Sequence, residues 1–231
     1  MIQSLVSNSE AGIYSLAYSF GSVLSTVWTA LNNSWVPFYY ELSRKDEMSV
    51  LKQKARNYTE LFTVIAIGFN LVYPEVYHIF AGKDYWSGTQ LISIFSLGFY
   101  CMFLYSFPVN YEFFNKKTKL IAIGTVTAAV CNIILNYFLI ISWGIYGAAI
   151  ATAISYLLQF VFHFTCIKFF ISKGKNDYPF SLRTFLPYIM LFCVSVTVCW
   201  LTSEMKYFRW IIGILIGLYE LTRIIKRKTI F

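Results

Sequence analysis

Residues 132–155 read NIILNYFLIISWGIYGAAIATAIS, and the polar pattern inside this apolar run decides what kind of helices the chain makes. Asn132 and Asn136 lie one helical turn apart, and an asparagine amide turned to lipid leaves hydrogen-bonding groups unpaired at a cost of several kcal/mol. Both are therefore expected to face protein or water. After a short interruption at 142–144, Gly147, Ala148, Ala151 and Ser155 form a small-residue face of the kind that lets helices approach closely. The stretch predicts two membrane helices joined by a short turn.

Composition extends this to the whole chain. The 231 residues are 58% hydrophobic and only 13% charged, about half the usual charged share. That is too little polar side chain to cover a soluble surface. Apolar runs of about 20 residues suit a bilayer and place seven spans: A 12–40, B 58–80, C 90–112, D 119–141, E 145–171, F 184–202 and G 208–222. The expected fold is all-α, a polytopic membrane helix bundle of about seven transmembrane helices.

Cytoplasmic loops retain Lys and Arg. Arg44, Lys45, Lys52, Lys54 and Arg56 follow A, and Lys116, Lys117 and Lys119 follow C. Lys168, Lys173, Lys175 and Arg183 follow E, while Arg223, Lys226, Arg227 and Lys228 follow G. The alternate loops hold only Lys83, Lys206 and Arg209. Helix A thus starts outside and the C terminus is cytoplasmic. The net charge of +8 is accounted for by these loops and calls for no nucleic acid. No basic residue precedes Arg44, so no secretory signal is expected, and the start reads as a cut end.

Five cysteines sit within apolar segments without metal-ligand spacing, so packing is their expected role and no metal site is predicted. His78 and His163 are isolated, and no nucleophilic triad or phosphate loop is present. The sequence points to no enzyme and no cofactor. His163, inside span E, and Glu75, in the outer part of B, are candidates for ion or proton coupling. Glu112, at the inner end of C, is expected to be solvated, as Glu75 is in the simpler reading.

Helix A carries Ser15, Ser19, Ser22, Thr26, Thr29 and Asn33 at steps of three and four, hence on one face. Such a stripe either packs against a neighbouring helix or lines a hydrated cavity. Residues 12–40 would extend ~43 Å at ~1.5 Å per residue, beyond a ~30 Å hydrocarbon core. Trp35, Phe38, Tyr39 and Tyr40 are then expected near the cytoplasmic interface, with Pro37 permitting a bend. Beyond them Met48, Leu51, Ala55 and Tyr58 share a face, which predicts a short amphipathic helix on the inner leaflet.

AGIYSLAYSFGSVLS (11–25), SWVPFYYE (34–41) and residues 132–155 together resemble the second half of the polysaccharide repeat-unit flippases. These are the O-antigen and capsule transporters, the Wzx type of the multidrug/oligosaccharidyl-lipid/polysaccharide exporter superfamily. Residues 1–172 resemble the C-terminal lobe, the end of one helix plus five spans, and 173–231 add two helices and a basic tail. The resemblance implies alternating access and transfer of a polyprenyl-diphosphate-linked oligosaccharide across a bacterial cytoplasmic membrane. It also implies a missing N-terminal lobe or another half as partner, together with membrane lipids and the polysaccharide polymerase and export machinery. On this resemblance helix A borders the central cavity, which makes its stripe, Tyr40, Asn132 and Asn136 candidate substrate-pathway residues. No Lys or Arg lies in the middle of any span to hold a diphosphate, a departure from the family's usual logic. The alternatives are a multidrug/cation antiporter of the same superfamily or a non-transporting membrane fragment.

Overall fold

The computed structural model describes residues 2–171, 178, 180–202 and 205–227, with the helix alone for 220, 221 and 223–227. Regular structure among them is entirely helical: α1 (Ile2–Leu5), α2 (Asn8–Gly21), α3 (Val23–Arg44), α4 (Met48–Phe80), α5 (Thr89–Phe114), α6 (Thr118–Cys166), α7 (Leu182–Leu201) and α8 (Lys206–Arg227). A 3-10 turn, Lys83–Gly88, precedes α5, and a π-helical turn, Ile167–Ile171, follows α6. Four stretches among the described residues are long and apolar enough to cross a membrane: Met48–Phe80, Lys83–Phe114, Thr118–Ile171 and Leu182–Leu201. The chain is a multi-pass helical membrane protein.

The third stretch contains two of the expected spans. Twenty-three residues of straight helix would part Asn132 from Ser155 by ~35 Å, yet Asn132 Nδ2 donates to Ser155 Oγ at 3.0 Å. The chain therefore folds back at Trp143 (φ −133°, ψ 15°) and Gly144 (φ 56°, ψ −136°). Glycine is needed at 144 because a side chain rarely adopts that backbone conformation. It is equally needed at 147, where a Cβ would lie 1.9 Å from the Leu139 carbonyl oxygen.

Span A is corrected. Rather than one overlong helix it is two, parted at Ser22, and it is not among the four membrane-length apolar stretches. The cause is local: Gly21 and Ser22 form the kind of pair at which helices break. The Ser22 N–H closes α2 on the Tyr18 and Phe20 carbonyls, while Ser22 Oγ donates to the Ser19 carbonyl at 2.7 Å. At the other end Ser7 Oγ accepts from the Glu10 N–H at 3.1 Å and starts α2, half of a capping box.

The segment expected to lie flat on the membrane is instead the beginning of α4, which runs unbroken through span B. Leu51, Ala55, Tyr58, Phe62 and Ala66 are all buried along one stripe, so the face predicted for an interfacial helix continues down the length of α4 and packs inward. Trp35 and Tyr39 likewise move from the expected interface into the core. Trp35 stacks on Tyr58 with ring centroids 5.0 Å apart, because burying two large aromatic rings against α4 removes more apolar area than a headgroup position does.

The chain forms two compact units that interleave in sequence: Met1–Ala30 with Ala81–Tyr178, and Leu31–Phe80 with Pro179–Phe231. In the first, α5 is the buried centre and α2 packs on it through Tyr18, whose ring meets Phe95 edge-on at 5.2 Å. The outer face of residues 118–142 carries exposed Ile123, Val126, Val130, Ile133 and Phe138, as a lipid-facing surface does. In the second unit α7 and α8 pack on α4. The domain boundary expected at 172–173, Lys173, Lys175 and Lys228, and the side chains of Arg223, Lys226 and Arg227, lie outside the described residues.

Candidate functional site

The helix-A stripe is on the surface. Ser15, Ser19, Thr26, Thr29 and Asn33 are exposed and Ser22 is half-buried. Four hydroxyls donate to their own helix: Ser19 to Ser15 at 2.9 Å, Ser22 to Ser19, Thr26 to Ser22 at 3.2 Å and Thr29 to Ser25 at 2.8 Å. With the protons engaged, the free oxygen lone pairs make this an acceptor surface, suited to a ligand that donates hydrogen bonds. Asn33, likewise exposed, lies on the part of α3 that belongs to the second unit. The break at Ser22 divides the stripe between α2 and α3.

Tyr40 lies beside an open recess of about 540 Å³ that also takes in Val36, Pro37, Glu41, Arg44 and Lys45. Lys45 Nζ donates to Glu41 Oε1 at 2.7 Å. That hydrogen bond holds the exposed Glu41 carboxyl below its ordinary range and the Lys45 ammonium above its own.

Asn132 and Asn136 face protein, as their chemistry demands. Asn136 Nδ2 donates to Asn132 Oδ1 and to its carbonyl, both at 2.9 Å, and Asn132 passes the chain on to Ser155. Ser155 Oγ ends it on the Ala151 carbonyl at 2.7 Å. The amides thus tie the two arms of α6 together. Asn132 also borders a recess of about 340 Å³ with Tyr18, Thr152, Ser155, Tyr156 and Gln159, whereas Asn136 does not.

The two candidates for ion coupling fall in different units. In the second, Arg209 Nη2 donates to Glu75 Oε1, and Arg209 Nη1 to the Thr202 carbonyl. The Arg209 side chain is fully buried and that of Glu75 is 17% exposed, so neither the solvated Glu75 nor the loop position read for Arg209 holds. An arginine at the start of an apolar helix is cheaper to bury against a carboxylate and a carbonyl than to leave facing lipid.

In the first unit His163 is paired with Glu112, a partner the sequence does not reveal. His163 Nδ1 lies 2.7 Å from Glu112 Oε2, and both side chains are 0% exposed. Glu112 is therefore not solvated at a helix end. Glu112 Oε1 and His163 Nε2 make no further hydrogen bond among the described residues. The Tyr105 ring stands edge-on to the imidazole at 5.1 Å, and a Cβ on Gly124 would come within 2.3 Å of Nε2. The pair is closed off from solvent. The described residues include no group of three or more potential metal ligands.

Two comparisons bear on these features. The chain is 25% identical over 177 residues to the "Probable low-salt glycan biosynthesis flippase Agl15" of Haloferax volcanii, a match covering 72% of this chain and 36% of that protein. It is 28% identical over 125 residues to an uncharacterized membrane protein of Haemophilus influenzae, covering 52% and 30% respectively. The chain therefore spans about a third of the length of the curated relatives it matches. No protein-family model and no solved structure matches it.

Proposed function

We propose that this chain is part of a membrane transporter that flips lipid-linked oligosaccharide repeat units across the cytoplasmic membrane of a bacterium by alternating access. The observation that carries this reading is the exposed Ser, Thr and Asn stripe of α2 and α3 in a multi-pass protein similar to a glycan flippase, whose α6 and α7 expose many large apolar side chains. An acceptor-rich track suits the many hydroxyl donors of a sugar, and multiple weak sites allow release as well as capture. A second helical lobe, in the same polypeptide or another, supplies the facing wall of the pathway and the cations for the diphosphate. The product feeds the machinery that polymerises and exports cell-surface polysaccharide. In the complete transporter, changing Ser22, Thr26 and Asn33 together to alanine is expected to impair polymer export at unchanged protein level. Full export in that variant overturns the assignment.

A second reading, a multidrug/cation antiporter, is favoured by one observation, the buried Glu112 and His163 pair, which can take up and give back a proton. Under either reading His163 with Glu112 is the proposed coupling site, and Glu75 is held in a structural ion pair. Uptake assays in vesicles separate the two: movement of a cationic dye that depends on Glu112, without glycolipid translocation, selects the antiporter.

A further inference from the structure

The second unit contains a basic groove that the helix-A pathway does not use. Lys52 and Arg56 from α4 and Arg183 from the first turn of α7 line an open groove of about 640 Å³, with Thr184, Pro187 and Tyr188 along its α7 wall. The three cations come from two helices far apart in sequence, and packing of α7 on α4 brings them together. Arg56 Nε donates to Tyr188 OH at 3.3 Å, so one guanidinium is fixed across the groove before any ligand arrives. None of the described lining residues is acidic.

Two further features give the groove a direction. The 20-residue α7 begins here with no acidic residue in its first turn and no capping hydrogen bond from the Ser181 side chain, so the positive end of its dipole adds to the three cations. Down α7 from Arg183 and Pro187, Leu186, Met190, Leu191 and Val194 are all exposed. A charged mouth above an apolar track is the negative image of an amphiphile with an anionic head and a hydrocarbon tail.

We propose that this groove seats the phosphate headgroup of a membrane lipid, with Arg56 and Arg183 gripping the phosphate oxygens, Lys52 supplying a third charge and the lipid chain lying along α7. Arginine suits the task because its planar fork meets two phosphate oxygens at once. The site is independent of glycan transport, since it uses none of the proposed pathway residues.

The test uses the full chain in phosphatidylcholine nanodiscs carrying a minority of phosphatidylglycerol, with native mass spectrometry counting the phosphatidylglycerol that stays bound. Lys52→Gln/Arg56→Gln/Arg183→Gln is expected to weaken retention on the order of a hundredfold, from three neutralised surface cations. Lys116→Gln/Lys117→Gln/Lys119→Gln, which removes the same charge elsewhere, is expected to leave retention within about twofold. Tyr188→Phe keeps every charge but removes the hydrogen bond to Arg56 and is expected to cost a few-fold. Arg183→Gln alone, at an exposed position, covers the case in which the triple variant does not fold, and is expected to lose about fivefold. Equal losses in the two triple variants, or none in either, overturn the site. Displacement of the lipid by excess inorganic phosphate overturns the lipid assignment in favour of a free anion.

Discussion

A fully buried carboxylate beside a fully buried imidazole is costly to leave half-made. Removing one partner of such a pair costs ~3–5 kcal/mol, because the other is left uncompensated, whereas replacing both by apolar groups is near neutral. Glu112→Leu is therefore expected to lower the thermal unfolding temperature in detergent sharply, and Glu112→Leu/His163→Leu to recover most of the loss. If the double variant is as unstable as the single, the two groups are not paired. Gly124→Ala attacks the same pair from behind, since its Cβ would overlap His163 Nε2 and also stand 2.9 Å from the Phe162 ring. Overpacking of this kind typically costs ~1–3 kcal/mol, and its effect should shrink, with the Phe162 contact left, once His163 is already leucine. His163 was legible in the sequence as an ionisable group inside an apolar run. Its partner was not: Glu112 stands 51 residues away at the apparent end of another helix, and spacing along the chain carries no sign of a contact made by folding one helix back beside another.

At the scale of elements, the hairpin in α6 was legible and the break in α2–α3 was not. The expected spans D and E meet at 142–144, and the structure turns at Trp143 and Gly144, because paired amides, a turn and a small-residue face all reported the same geometry. The helix-A stripe misled for a physical reason. A run of hydroxyls at steps of three and four measures which face is polar, not whether the helix is continuous, and Ser22 serves both as a member of the stripe and as the break. The amphipathic start of α4 was read correctly as a face and wrongly as a separate helix, since burial continues to Tyr77 with no interruption. Gly144→Ala forces a side chain into a left-handed conformation and is expected to cost ~1–3 kcal/mol, read as a lowered unfolding temperature. Arg209 ties α8 to Glu75 of α4. A Cβ at Gly213 would stand 3.9 Å from Leu71 Cβ, within disulfide reach, so Leu71→Cys/Gly213→Cys should crosslink under oxidation. Adding Arg209→Gln should reduce that crosslink severalfold, and an unchanged yield removes the ion pair as the anchor.

At the scale of the whole molecule the open quantity is direction, and the α6 hairpin is the element that reports it. Each arm is about 25 residues, or ~37 Å of helix, enough to cross a ~30 Å core. One end of the hairpin is basic: Lys116 and Lys117 lie in the turn before α6, Lys119 in its first turn, and Lys168 at the return end, where its ammonium sits 5.7 Å over the Phe169 ring. The other end, at Trp143 and Gly144, carries no charge of its own, and the charged atom near it is Glu10 Oε2, 3.6 Å from where a Gly144 Cβ would stand. Moving four cations across a bilayer is far costlier than moving none, so the basic end is expected in the cytoplasm. In a chain whose five native cysteines are replaced, a cysteine at Trp143 should react with a membrane-impermeant maleimide in intact cells. A cysteine at Lys117 should react only after the cells are permeabilised. Because both reporters sit on one hairpin, a misfolded chain would expose both at once, and the reverse pattern would overturn the expected topology and, with it, the proposed direction of glycan movement.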